Sequence, residues 1–249
     1  YVVGLGILAT VRTTWAPSAA AGSLGDQFRE GLAYVRTRPE MRLAFRLAFS
    51  VAGLGAVFAF SLAAGVADDL FGRGGGGLGV LSTSLGVGSL LASAFISGRG
   101  GRMSRAVLER RAILLYGAGL LVVASSSWLG VGMFGYLLTG AAHMLHGTTL
   151  STALQLRVDE EFRGRVMSVF LVAILSGIPI GGLAFGILGD LVGLRWVVLG
   201  AGLALCLDAA VTGRRGAFAL LDHEADIAGR HASEFADPPD SGDDWGSAG

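Results

Sequence analysis

Six long apolar stretches, at residues 43–67, 78–96, 112–126, 129–156, 166–191 and 196–212, decide the solvent of this chain before any motif is read. About 20 apolar residues at ~1.5 Å rise per residue cover a hydrocarbon layer of about 30 Å, and only the third stretch is short by that measure. Charge is sparse enough to agree: 15% of the residues are charged, against 52% hydrophobic. A soluble domain of this length carries more charge on its surface. The pattern predicts an all-α, polytopic membrane bundle of six transmembrane helices.

The neutral formal charge conceals an uneven distribution. Residues 222–249 hold eight of the 19 acidic side chains and one arginine, which leaves the membrane part with 18 basic against 11 acidic residues. All 19 basic residues are arginine, and 17 of them precede or open the first stretch, or fall between the second and third, between the fourth and fifth, or after the sixth. Only Arg73 and Arg195 lie in the other connections. By the positive-inside rule this bias predicts an even number of spans with both ends of the chain in the cytoplasm.

Four segments follow from this reading. Residues 1–10, an apolar run too short to cross and followed at once by Arg12, read as the end of a preceding transmembrane helix. Residues 11–42 read as a cytoplasmic linker in which Leu24, Phe28, Leu32 and Val35 recur at helical spacing until Pro39 intervenes. That helix is either an interfacial element joining two bundles or an ordinary amphipathic linker. Residues 43–213 form the six-helix transmembrane bundle, with Gly74 to Gly77 expected to give a flexible outer loop. Residues 214–249 are expected to be a cytoplasmic, mostly disordered acidic tail.

Polar groups inside apolar stretches are costly and tend to face a cavity or a partner helix. His143 lies near the middle of the fourth stretch, and His146 follows one turn later, with Thr149 and Thr152 continuing the polar side. They are candidates for a substrate or proton path; the competing reading is hydrogen bonding to a neighbouring helix. Asp208 is a second candidate, although it can also lean towards Arg214 and Arg215. Phe49, Phe58 and Phe60 are candidate aromatic contacts for a substrate, or lipid contacts. Gly53, Gly86, Gly88, Gly177, Gly181, Gly182 and Gly186 are expected to let helices approach closely, and Pro179 is a candidate hinge.

The connection from Val158 to Val166 carries Glu160, Glu161, Arg163, Gly164 and Arg165. Carboxylates beside guanidinium groups at a helix start form charge-assisted bonds that can hold two bundles together as a latch. A solvated loop that only sets topology is the alternative. Laying the second stretch over the fifth at an offset of 93 residues matches Gly88 with Gly181, Leu90 with Leu183, Gly100 with Gly193 and Arg102 with Arg195. Because the two stretches are three spans apart, they run in opposite directions, as in an inverted three-plus-three repeat.

The run Arg163-Gly164-Arg165-Val166-Met167-Ser168, then Pro179-Ile180-Gly181, then Gly186-x-Leu-x-Asp190-x-x-Gly193-x-Arg195, resembles the carboxy-terminal half of a major facilitator superfamily transporter. It is most similar to the bacterial drug and siderophore exporter branch that includes enterobactin exporters and macrolide efflux proteins. The linker Phe28-Arg-Glu-Gly-Leu-x-Tyr-Val-Arg36, followed by Pro39, is also similar to that branch. The resemblance covers residues from about 23 to 212 and implies half of a twelve-helix transporter that works by alternating access. It also implies that Asp190, Gly193 and Arg195 belong to the gating motif. Two departures stand out: the branch usually has proline where this chain has Asp159, and an aspartate where it has Ser97.

An intramembrane protease would need a serine and a histidine brought together, yet no Gly-x-Ser-x-Gly elbow occurs. A chain without lysine also has no phosphate-binding loop ending in that residue. The single cysteine, Cys206, excludes an internal disulfide. The expectation is therefore not an enzyme but a secondary-active exporter of a small molecule, a drug or a siderophore, in the bacterial inner membrane, with proton coupling implied by the resemblance. Its expected partners are the substrate, the lipid bilayer and the missing amino-terminal six-helix half, with no cofactor, metal or nucleic acid. A non-transporting scaffold or a truncated remnant is the rival reading.

Overall fold

The computed structural model describes residues 23–98 and 103–222, and every element in them is helical. The expected helix end at residues 1–10, Gly100 and Arg102 of the repeat, and the tail from residue 223 onward lie outside the described residues.

Helix α1 spans Leu24–Thr37. Ser23 opens it through a capping box: its hydroxyl accepts from the Asp26 backbone N–H at 3.2 Å, while the Asp26 carboxylate accepts from the Ser23 backbone at 3.2 Å. Pro39 does not merely stop this helix but sits at the first position of the next one, where its missing N–H has no helical partner to lose. Helix α2 runs Pro39–Phe60 and contains a π-helical turn at Ala52–Ala56. It breaks at Ser61 and Leu62, and two short helical turns, Ala63–Gly65 and Val66–Leu70, lead on towards α3, Gly74–Gly98.

The four glycines Gly74 to Gly77, expected as a flexible loop, instead form the first turn of α3. Gly74 takes φ +48° there, a conformation that side chains with a Cβ avoid. Gly77 is buried, and a Cβ on it would run into Arg73. The helical cost of glycine, about 1 kcal/mol per residue, is overridden by the packing of this turn on the chain before it.

Helix α4 spans Arg105–Ser125, α5 spans Leu129–Arg157, α6 spans Arg163–Val192 and α7 spans Leu194–Arg214. A 3-10 turn at Glu160–Phe162 joins α5 to α6, and Gly193, at φ +91°, ends α6 and starts α7. Among the described residues four helices are long and apolar enough to cross a membrane: α2, α3, the segment containing α6, and α7. The expected count of six is thus not reached on length and composition. Helices α4 and α5, of 21 and 29 residues, are long enough but more polar. Glu109, Arg110 and Arg111 in succession make α4 polar, and His143, His146, Thr148, Thr149 and Thr152 do so for α5, which lies between α3 and α4.

Glycine lets these helices touch backbone to backbone. A Cβ at Gly88 of α3 would collide with the Leu137 carbonyl of α5, and one at Gly140 of α5 with the Leu85 carbonyl of α3. Gly119 and Gly135 face each other across α4 and α5, and Gly117 and Gly202 do so across α4 and α7. Gly181 of α6 abuts the Gly53 carbonyl in the π-helical turn of α2, whereas Gly86 has nothing nearby and Gly186 only the tip of Leu62.

The ordered body continues past the expected boundary at residue 213. A 3-10 turn at Ala217–Leu221 buries Phe218 and Leu221. Asp222 then accepts from the Ala106 N–H at 3.0 Å and from the Ser104 hydroxyl, placing a carboxylate at the N-terminus of α4 where the helix dipole favours it.

Candidate functional site

The buried polar groups of α4 and α5 form a column between them. Glu109, in the second turn of α4, is 0% exposed. Its Oε1 lies 2.6 Å from His146 Nδ1 on α5, and its Oε2 has no hydrogen-bond partner. Seven residues further along α4, about 10 Å at the helical rise, the Tyr116 hydroxyl comes 3.5 Å from His143 Nδ1. The His143 ring also meets the Phe60 ring of α2, with centroids 5.2 Å apart. The column thus runs from a buried carboxyl to the end of α2, where Phe60 is half exposed.

His143 and His146 therefore belong to one column but have different partners. Thr149 is buried next on α5, whereas Thr152 is exposed. Phe58 is buried and stacks on Phe185 with centroids 5.5 Å apart, while Phe49 is exposed at 44%. The break in α2 at Ser61 and Leu62 releases the Phe58 carbonyl from helical pairing, and the Tyr136 hydroxyl of α5 donates to it at 2.8 Å. The π-helical turn of α2 touches α6 at Gly177 and Gly181, the glycines that flank Pro179. A π-helical turn thus lies beside the proline-containing stretch of α6, and such turns are frequent at functional sites.

Asp208 does not turn to Arg214 or Arg215. It pairs with Arg46 of α2 and accepts from the Ser50 hydroxyl at 3.2 Å, while Arg46 also donates to Thr212 at 2.6 Å. This cluster ties α7 to α2.

At the arginine-rich end, the connection between α5 and α6 is pinned to α1. Arg165 pairs with Glu30 at 2.8 Å, and Arg38 pairs with Asp159 at 3.0 Å. Tyr34 stacks on Phe162 with centroids 5.0 Å apart, accepts from Arg38, and donates to Asp159 at 3.1 Å. Burial raises the Tyr34 hydroxyl above the usual phenol range, so it stays protonated and keeps donating. Glu160, Glu161 and Arg163 are exposed and make no pair among the described residues, and Gly164 has open space beside it. Asp159, a departure from the resembled branch, supplies one of the two ion pairs at this junction.

At the opposite end, Arg195 donates to the Ala124 carbonyl at 2.7 Å, the Leu70 carbonyl at 3.3 Å and the Ser127 hydroxyl at 2.8 Å. One guanidinium thereby caps carbonyls that two helical segments leave unpaired at their C-terminal ends. Asp190, in the last turn of α6, is exposed and makes no ion pair among the described residues. The motif residues Asp190 and Arg195 are not brought together as a pair.

The sequence pattern of transmembrane secretion effectors, a major facilitator family, matches residues 1–239. The chain belongs to the transmembrane secretion effector family. No curated protein and no solved structure matches it. Membership of this family places the chain among multi-pass membrane transporters, in agreement with its apolar helices.

For a transmembrane secretion effector, Glu109 is the residue that charge counting hides. It sits among Arg105, Arg110 and Arg111 and reads as part of a topological loop. A periodicity reading begun at Arg105 finds it, because Glu109, Ala112, Ile113, Tyr116, Leu120 and Val123 recur at three- and four-residue steps and are all buried. Arg46 has no such local signal, since its role depends on which distant helix lies opposite.

Proposed function

We propose that this chain is the six-helix carboxy-terminal half of a secondary-active exporter for small molecules of the drug or siderophore class. In this reading α4 and α5 cross the bilayer with the other four, as two inverted three-helix repeats. Both chain ends are then in the cytoplasm of a bacterial cell, and an amino-terminal six-helix half completes the transporter in the inner membrane. Alternating access moves the halves about a midplane site, driven by protons.

The observation that carries this reading is the column of buried Glu109, His146 and Tyr116 with half-buried His143, which ends at the half-exposed Phe60. A bundle held only for scaffolding gains little from burying ionisable groups, because they are expensive in lipid. The glycine contacts between α2 and α6 support a seam that can slide, and the Arg165–Glu30 pair supports a latch at one end of it.

Export is tested in cells stripped of their main exporters, using a fluorescent lipophilic cation and a catechol siderophore as probes. His143→Ala in the full-length protein should lower export per molecule about tenfold, or ~1.4 kcal/mol of barrier, at unchanged membrane abundance. Equal export per molecule would remove His143 from the path. Arg165→Glu should shift the inward-to-outward balance seen by cysteine-probe accessibility, while changing stability by less than ~1 kcal/mol. Adding Glu30→Arg should restore the balance, and identical accessibility in all three proteins would count against a latch.

A further inference from the structure

We infer that the Glu109 carboxyl is the group that takes up and releases the coupling proton, at Oε2, with His146 holding it in place through Oε1. This deepens the proton-driven transporter reading above and rests on it.

Three features converge on Oε2. Glu109 has no exposed surface, Oε1 is engaged by His146 at 2.6 Å, and Oε2 is buried without a hydrogen-bond partner among the described residues. A buried carboxylate serving only as a structural anchor has its oxygens satisfied, because an unpaired buried acceptor is costly. With His146 in its Nδ1–H tautomer, the bond to Oε1 is available whether the acid is charged or neutral, so Oε2 alone changes state. On uptake, an O–H bond forms at Oε2 as an O–H bond of a hydronium ion breaks and leaves water; release reverses both. The carboxylate and the acid differ by one charge inside a low-dielectric seam, which links proton occupancy to whether that seam is wet or closed.

The surrounding charges do not already serve this role. Helix α5 presents His146, one turn along His143, whose neighbour is Tyr116, and in its last turn Arg157. On α7 the carboxyl of Asp208 is committed to Arg46, and on the terminal turn Asp222 is committed to Ser104 and Ala106. The π-helical turn of α2 brings no titratable group, and Arg110 and Arg111 of α4 are exposed. Arg105, at the start of α4, is one turn from Glu109 in sequence. Among the described residues Glu109 is the one fully buried carboxyl.

The test is pH-difference infrared spectroscopy of the full-length protein in lipid nanodiscs, which needs no transported substrate. The protonated-carboxyl C=O band should appear on acidification and shift when glutamate, but not aspartate, carries a carbon-13 carboxyl. Glu109→Gln should abolish it, and Glu109→Asp should restore a band that shifts with the aspartate label. Absence of the glutamate band in the unaltered protein, or its persistence in Glu109→Gln, overturns the inference. In proteoliposomes, with the lipophilic cation as probe, Glu109→Gln should lose at least tenfold of pH-driven accumulation. Unimpaired accumulation overturns the inference as well. Failure of the unaltered protein to move the probe or the catechol siderophore would instead strike the export reading, and the infrared result still decides the proton site.

Discussion

Replacing His146 by leucine should destabilise the bundle by about 3 kcal/mol, because it strips the fully buried Glu109 carboxyl of its hydrogen-bond partner among the described residues. The cost falls at the lower end of the range for broken buried pairs, since the carboxyl can neutralise itself by taking a proton. Adding Glu109→Leu should then recover most of the loss, to within ~1 kcal/mol of the original protein, since an apolar pair leaves nothing unsatisfied. Thermal unfolding of the purified single and double variants measures both. A double variant no more stable than His146→Leu would show that the pair supplies shape rather than polar matching.

Gly140→Leu should break the seam between α3 and α5. Its first side-chain carbon would occupy the place of the Leu85 carbonyl, and because that neighbour is backbone, the helices themselves must separate. Overpacking of this kind costs about 3 kcal/mol, well above the ~1 kcal/mol that helix propensity returns when glycine is replaced. Gly147, two turns along α5, has nothing within 4 Å of the same added carbon. Gly147→Ala should therefore be neutral or stabilising by up to ~1 kcal/mol. The contrast is read from membrane abundance and unfolding temperature, and equal effects at the two glycines would contradict the seam.

Much of the fold can be read from local pattern because its causes are local. Apolar length marks the helices, Ser23 and Asp26 start α1, and Gly193 ends α6. The Gly74–Gly77 turn escapes such a reading because its helicity depends on packing against residue 67 and Arg73. The count of spans is harder: Glu109, Arg110 and Arg111 in α4 and the histidines and threonines of α5 lower the hydropathy of two helices that pack against several neighbours, and hydropathy along one helix does not register that packing. Among site residues, His143 and His146 announce themselves as polar groups in an apolar run. Glu109 is masked by adjacent arginines, and the pairing of Arg46 with Asp208 spans most of the chain.

The transporter reading depends most heavily on α4 and α5 crossing the bilayer. Single cysteines at Ser125, the exposed end of α4, and at Glu160, the exposed turn after α5, bracket the second of these helices in a Cys206→Ser background. A membrane-impermeant maleimide applied to intact cells should label Ser125→Cys, and should reach Glu160→Cys only after permeabilisation. Labelling of both from the same side would mean that α5 turns back without crossing, and the six-span transporter would be wrong.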